Sequence, residues 1–407
     1  MPCPIALPCP PVSNIIITFS LKSHHPHCPF AYFCCRVALV PLKTPVDGRW
    51  YELSQWAGSH PGGEQILALF HGKDASDAFH SLHSAQAHAR LARMHSEPVR
   101  KTDAIAQQRP TKVAEAFREL RAELVSEGWF ERDAAQEVWV NALIYAMLVG
   151  GTLLAPTYPL IAIVLIGVAM QQTGWLAHDY VHGRGDNCWY AGRLLGGLVN
   201  GFSSEWWSNK HNTHHAFPNY MGIDTDIQND PVFHLWLPKP SVDTPIRAWQ
   251  HWYFFPVVSF LYVSWRIQSF QHAWARKQYR ELALMAVNYA WLLFVLPWAV
   301  SIGAVLLGGF LVGIIVTVTH ESEEIISPLS EHTYCFVTDQ FLSTRDVDTR
   351  DPLMEYLWGG MQYQLEHHLL PTMPRYKYKV RRTDEQTGGN FQMFRQVCVC
   401  ARLCGCG

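Results

Sequence analysis

The sequence predicts a multidomain chain. A small α+β unit comes first, followed by an all-α membrane domain of four transmembrane helices with a cytosolic, histidine-rich cap. Three observations predict this. Two long stretches, Val138–Ala177 and Leu282–Thr319, carry no charged residue. A polar segment of globular composition precedes them, between residues 44 and 100. Three histidine clusters flank the uncharged stretches: His178-Asp-Tyr-Val-His182, His211-Asn-Thr-His214-His215 and Gln364-Leu-Glu-His367-His368.

The spans follow from length. A helix needs roughly 20 apolar residues to cross a bilayer. Each uncharged stretch is long enough for two, folded back at Pro156 and Pro159 in the first and at Pro297 in the second. The expected spans are 138–155, 158–177, 282–298 and 300–319. The turns contain no lysine or arginine. Lys101, Arg109, Lys112 and Arg118 precede the first span, and Arg266, Arg276, Lys277 and Arg280 precede the third. The positive-inside rule then places the flanks, and with them all three histidine clusters, in the cytosol. Tyr190–Ser204 and Trp252–Trp265 are too short to span and rich in aromatics, so they read as helices lying in the interface, Arg193 favouring that placement.

Bulk composition agrees. Charged residues make up 16% against 49% hydrophobic, which leans toward a membrane protein with soluble parts. The formal charge of −2 gives a nucleic-acid partner no electrostatic support. Of 11 cysteines only Cys188 and Cys335 fall inside the body; the rest lie in residues 1–35 and 398–406, so no disulfide framework is expected. Residues 1–43 read as an atypical, disordered extension without a secretory signal, 101–136 as a linker with an amphipathic helix, 137–378 as the membrane domain and 379–407 as an atypical cysteine-rich tail.

The polar unit contains Val46-Asp-Gly-Arg-Trp-Tyr-Glu-Leu, a strand–turn–strand start, then His60-Pro-Gly-Gly63 and Asp74-Ala-Ser-Asp-Ala-Phe79-His-Ser-Leu-His83. Glycines beside the first histidine allow backbone to pass close to a flat ring. This pattern resembles a cytochrome b5 domain over residues 44–100. The resemblance implies haem b with His60 and His83 as axial ligands, His80 being a neighbouring candidate. His71, His88 and His95 read as surface residues, and the segment before Val46 lacks the polar first strand usual in that family.

In the three clusters the imidazoles stand at i, i+3 or i+4, on one face of a helix. Neutral imidazole is the commonest ligand for transition metals. Seven or eight nitrogens exceed one metal's needs and match two. Beside a haem carrier, two metals point to redox chemistry with oxygen and away from zinc. No Glu-x-x-His occurs, so the carboxylate-bridged pattern of soluble four-helix bundles is absent.

The whole pattern resembles membrane front-end fatty acyl desaturases with a fused cytochrome b5 domain, over roughly residues 46–378. Trp358-Gly-Gly-Met-Gln-Tyr-Gln364-Leu-Glu-His-His-Leu-Leu-Pro-Thr-Met-Pro374 carries it most specifically. The resemblance implies that His178, His182, His211, His214, His215, His367 and His368 hold two irons, with Gln364 and the post-span His320 as further ligands and no catalytic residue beyond these. Asp179 is expected to accept from a ligand imidazole. Glu321, Glu323 and Glu324 read as solvated or supporting groups, and His234, His251, His272 and His332 as bland. Trp175, Trp206, Trp207, Met361 and Tyr363 are candidate walls of an acyl tunnel. The implied reaction takes electrons from NADH through a separate cytochrome b5 reductase and the haem. It reduces O2 to water and leaves a cis double bond between an existing one and the carboxyl end of an acyl lipid or acyl-CoA. The implied setting is the endoplasmic reticulum membrane, with a plastid envelope as the alternative. Alternative activities are a sphingoid long-chain-base desaturase, a hydroxylase on the same scaffold, or a non-catalytic haem electron carrier.

Overall fold

The computed structural model describes residues 41–383, apart from 108–109, 184–185, 229–231, 234–244, 322, 328–329, 331 and 350. The extension through residue 40, His234 and the tail from residue 384 lie outside the described residues. The described chain falls into two compact units, 41–79 with 86–107 and 80–85 with 110–383.

In the first unit β1 (Lys43–Val46) and β2 (Arg49–Glu52) pair antiparallel, Val46 opposite Arg49. Asp47 and Gly48 between them both have positive φ, 50° and 69°, the hairpin geometry that Asp-Gly adopts most readily. Helices α1 (Glu64–Leu69), α2 (Ser76–Leu82) and α3 (Ala85–Leu91) follow, residues 80–85 from the end of α2 to the start of α3 being grouped with the second unit, and β3 (Ser96–Pro98) pairs with the other edge of β2. Val46, Tyr51, Leu53, Ile66 and Phe70 are buried as the core. The Trp50 indole donates to Asp103 at 3.0 Å and fastens the chain beyond the sheet.

The second unit is helical. α4 (Lys112–Ser126) buries Val113, Phe117, Leu120 and Leu124, spaced three or four apart, after a Thr111 cap. α5 (Ala134–Leu154) packs beside α6 (Pro159–His182), which starts with proline in its first turn. α7 (Asp186–Leu194) runs into a π-helical turn, Leu195–Asn200. Next come α8 (Ser204–Ala216), α9 (Gln250–Val258), α10 (Leu261–Ala275) and α11 (Tyr279–Ala290), the last continuing as a π-helical turn, Trp291–Val295. α12 (Trp298–Val316) likewise ends in a π-helical turn, Thr317–Glu321. α13 (Phe336–Ser343), α14 (Pro352–Trp358), α15 (Gln364–Leu369) and α16 (Tyr376–Thr383) complete the unit.

Among the described residues, three helices are long and apolar enough to cross a membrane: Ala134–Leu154, Pro159–His182 and Trp298–Glu321. α5 buries only Ile144 and Gly151, so its outer surface presents Val138, Trp139 and Leu153, a face suited to lipid. The stretch expected as a third of four spans is α11 with its π-helical turn, whose first turn includes Glu281.

One sequence expectation is corrected. Tyr190–Ser204 is open only over its first part, where Tyr190 and Leu194 are exposed, whereas Leu195, Gly196, Val199 and Asn200 of the π-helical turn are buried. The Asn288 amide donates to the Leu198 and Val199 carbonyls at 3.1 and 2.7 Å. Arg193, which favoured an interfacial placement, pairs with Glu281 at 3.3 Å. Trp252–Trp265 divides at Ser259 and Phe260 into α9 and α10, with Trp252, Phe255 and Phe260 exposed.

The approach of α12 to the α9–α10 junction is close enough to require glycine. A Cβ on Gly309 meets the Ser259 carbonyl oxygen at 2.6 Å. Gly150 on α5 has open space instead. Gly309→Val is expected to cost about 1–3 kcal/mol through overpacking, and Gly150→Ala to be neutral or to stabilise by up to about 1 kcal/mol through helix propensity. Thermal unfolding of the detergent-purified protein checks both, and equal melting temperatures contradict the packing described.

Candidate metal centre

Helix ends deliver every histidine of the three clusters. The last turn of α6 brings His178 and His182, the last two turns of α8 bring His211, His214 and His215, and α15 brings Gln364, His367 and His368. His320 comes from the π-helical turn after α12, where Thr319 and His320 are both buried while Val318 points out.

The structure sorts these side chains into two adjoining groups. His178, His182, His211, His215 and His367 form one, and His214, His320 and His368 the other; within each, one nitrogen per ring lies within 4.8 Å of the rest. Helical geometry explains the sorting. Successive residues on an α-helix point about 100° apart, so each His-His pair sends one ring to each group. The paired rings stand 84° apart in His214–His215 and 90° apart in His367–His368. His211 and His215, four apart, share a face and a group.

In the larger group His178 Nε2 and His211 Nε2 lie 2.6 Å apart, and His211 and His215 Nε2 lie 3.0 Å apart. In the smaller group His320 Nε2 lies 3.4 Å from His214 Nε2, 3.2 Å from His368 Nε2 and 2.6 Å from Gln364 Nε2. Burial, and then the neighbouring imidazoles, hold His211, His215, His367 and His368 far on the neutral side of the ordinary histidine range. Neutral rings whose nitrogens converge in a water-poor space are a chelating set. His178, His211 and His215 Nδ1, His367 Nε2 and the Gln364 side-chain oxygen have no hydrogen-bond partner among the described residues. The Nε2 atoms that converge in both groups have too few protons among them to satisfy one another, so this donor set fits a metal ion between the rings.

Groups outside the clusters position them. The Asp224 carboxylate accepts from His214 Nδ1 at 2.7 Å, and the Ser343 carbonyl from His320 Nδ1 at 3.1 Å. The Gln340 amide oxygen accepts from His368 Nδ1 at 2.8 Å, and its nitrogen donates to the His215 carbonyl at 2.9 Å. Trp207 stacks on His211 with centroids 4.9 Å apart. Asp224, Gln340 and Ser343 stand at no recognisable spacing from the histidines, so only the fold reveals them. Asp179 is a correction: its carboxylate does not meet a cluster imidazole but takes Arg132 Nη1 at 2.9 Å and the Arg375 backbone N–H at 3.2 Å.

The remaining sequence candidates take varied places. Trp175 and Met361 belong to one buried cluster, with the Trp175 indole donating to the Leu357 carbonyl at 3.1 Å. Trp206 is buried, and Tyr363 with Gln172, Leu176 and Asp179 lines a cavity of about 440 Å³. Glu323 pairs with Arg345 at 2.5 Å, His332 with Asp339 at 2.7 Å and His272 with Glu205 at 4.0 Å. In the first unit the His60 ring meets the Gly63 carbonyl at 3.0 Å, and burial lowers its pKa. His80 is in α2, and His83 directly follows that helix, half-buried. His71 accepts from Lys43 N at 3.2 Å, and His88 packs on Phe79 at 4.7 Å.

Comparison with known proteins agrees with both units. Residues 154–382 match the fatty acid desaturase family, and residues 44–106 match the cytochrome b5-like haem/steroid-binding domain. The Delta(6)-fatty-acid desaturase of Caenorhabditis elegans is 30% identical over 397 residues, 82% of this chain and 87% of that protein. The Delta(5) fatty acid desaturase of the same organism is 30% identical over 83% of this chain and 87% of its own length. The Delta(8)-fatty-acid desaturase of Euglena gracilis is 31% identical over 84% and 87% respectively. With two buried histidine groups beside membrane-type helices and a haem-type domain earlier in the chain, this chain belongs to the fatty acid desaturase family, as an oxidoreductase with a fused cytochrome b5-like domain.

Proposed function

We propose that this chain is a front-end desaturase, inserting a cis double bond between an existing double bond and the carboxyl end of a polyunsaturated acyl chain. The observation that carries this reading is the pair of adjoining buried histidine groups, with His178, His182 and His320 at the ends of membrane-type helices. Gln364 at the head of the third cluster, the fused haem-type domain and relatives named for Delta(5), Delta(6) and Delta(8) desaturation support the front-end position.

In this reading His178, His182, His211, His215 and His367 hold one iron, and His214, His320 and His368 with Gln364 hold the second. His60 and His83 would hold haem b. Bound there, iron with O2 supplies the oxidising power to remove two hydrogens, and haem supplies electrons one at a time. The chain's own part is positional. Burial keeps the imidazoles neutral and excludes bulk water, which holds side reactions down. The frame also selects one C–H pair among methylenes that differ little chemically. NADH-cytochrome b5 reductase is the expected electron donor. The endoplasmic reticulum membrane is the expected site, with α5, α6, α11 continued to Val295, and α12 as four spans and the histidines on the cytosolic side.

Yeast expressing the full chain and fed C18 or C20 polyunsaturated acids is expected to gain an acid with one new cis bond on the carboxyl side of an existing one. Unchanged acyl chains with newly unsaturated long-chain bases would instead favour sphingolipid desaturation. His60→Ala or His83→Ala is expected to abolish the low-spin b-type haem spectrum of the purified protein, whereas His71→Ala leaves it intact.

A pH dependence follows from the lowered histidine pKa values. In the unfolded chain these groups take up protons below about pH 6.5, while the folded, metal-free site does not. The metal-free protein therefore holds its full stability above that pH and loses it as pH falls toward the depressed folded values. Melting of chelator-treated protein at pH 7.5 and 5.5 should show the lower temperature at pH 5.5, and equal temperatures count against a neutral buried cluster.

A further inference from the structure

Each imidazole of the smaller group gives one nitrogen to the chain. His214 Nδ1 faces a carboxylate, His320 Nδ1 a backbone carbonyl and His368 Nδ1 the Gln340 amide. The Gln340 end that meets the His215 carbonyl must be the amino group, since a carbonyl only accepts. The end facing His368 is then the oxygen, which also only accepts. All three rings therefore carry the proton on Nδ1 and turn the Nε2 lone pair inward. In the larger group His178, His211 and His215 have no such Nδ1 partner among the described residues.

Of the three acceptors, Gln340 alone touches both groups. It is fully buried on α13, a helix that carries no candidate ligand, and it ties the ring of His368 to the backbone of His215. Two residues after Gln340, Leu342 takes Glu324 N on its carbonyl, and the next residue's carbonyl takes His320 Nδ1, so α13 also braces the segment after α12.

We infer that Gln340 is a positioning residue of the metal centre: its amide fixes the tautomer and aim of His368 and holds the second and third histidine clusters in one register. The inference rests on the reading that these histidines bind iron. A merely space-filling glutamine predicts an effect on folding alone. A positioning glutamine predicts faster metal loss from a chain that still folds. Partners that orient ligand imidazoles typically contribute about 10–100-fold in metal affinity.

The test uses full-length, haem-loaded protein purified in detergent as wild type, Gln340→Leu, Gln340→Met and Gln340→Glu. It reads iron per haem during timed dialysis against a ferrous chelator, with the melting temperature of the metal-free form alongside. Gln340→Leu is expected to release iron about 10–100-fold faster than wild type. Gln340→Glu keeps an acceptor for His368 and should stay closer to wild type than to Gln340→Leu. Should leucine lower the metal-free melting temperature, Gln340→Met, the closest apolar match in length, takes its place with the same expectation. Iron release from the apolar variant at the wild-type rate overturns the inference, as does equal acceleration by glutamate and the apolar residue. A wild-type protein that binds no iron overturns the metal reading itself, a result plainly distinct from the other two.

Discussion

Neutral imidazoles gathered with their lone pairs facing one another are the constraint on which the rest of the helical unit depends. Nitrogens 2.6–3.0 Å apart in the larger group cannot all be satisfied by each other's protons. The chain must therefore hold the rings together by other means. It does so by ending helices there. Where a helix stops, side chains such as Asn219 take over the polar groups. Asn219 adopts a left-handed backbone (φ 57°), a conformation that asparagine tolerates better than most residues. Its amide donates to the His320 and Glu324 carbonyls at 3.0 and 3.1 Å.

Beside the centre, charge is handled by pairing. Arg132 bridges Glu137 and Asp179, and the Tyr180 hydroxyl bonds the same Glu137. Asp179 stands between His178 and His182 on α6, so this network grips the helix at the ligand-bearing turn from its other side. Arg375 is buried with its backbone N–H on Asp179 and its guanidinium on the Gly359 carbonyl. Removing one member of such a set leaves a buried charge without its counterpart, which costs far more than the pair contributes. The network is thus a clamp on the first cluster and not a ligand to it.

What the sequence made legible was local. Histidines at helical spacing are a pattern contained in one element each, and they appear in the structure where the pattern placed them; the uncharged runs each fold into two helical segments, and three helices among the described residues are long and apolar enough to span. The partition of each His-His pair between two groups is also implicit in helical geometry, but it becomes visible only when α6, α8 and α15 are brought together. Asp224, Gln340 and the Ser343 carbonyl could not be read at all, because their role comes from contacts distant in sequence. The two misreadings share this cause. Asp179 looked like an imidazole partner because it sits between two histidines, yet its partners are Arg132 and Arg375. Arg193 looked like a residue that keeps its whole segment in the interface, yet it pairs with Glu281 on α11 and the π-helical turn after it is buried.

The π-helical turn at Thr317–Glu321 has a consequence for how the protein meets its bilayer. Such a turn carries an extra residue beyond regular α-helical winding and resets which way the following side chains point. The aim of His320 is thus set at the histidine end of α12, by that turn and by the Ser343 carbonyl, and not by counting residues from Trp298. Turns added to or removed from the Trp298 end change the length of the apolar column without rotating His320. Length of the apolar column and aim of His320 are thus set at opposite ends of one helix.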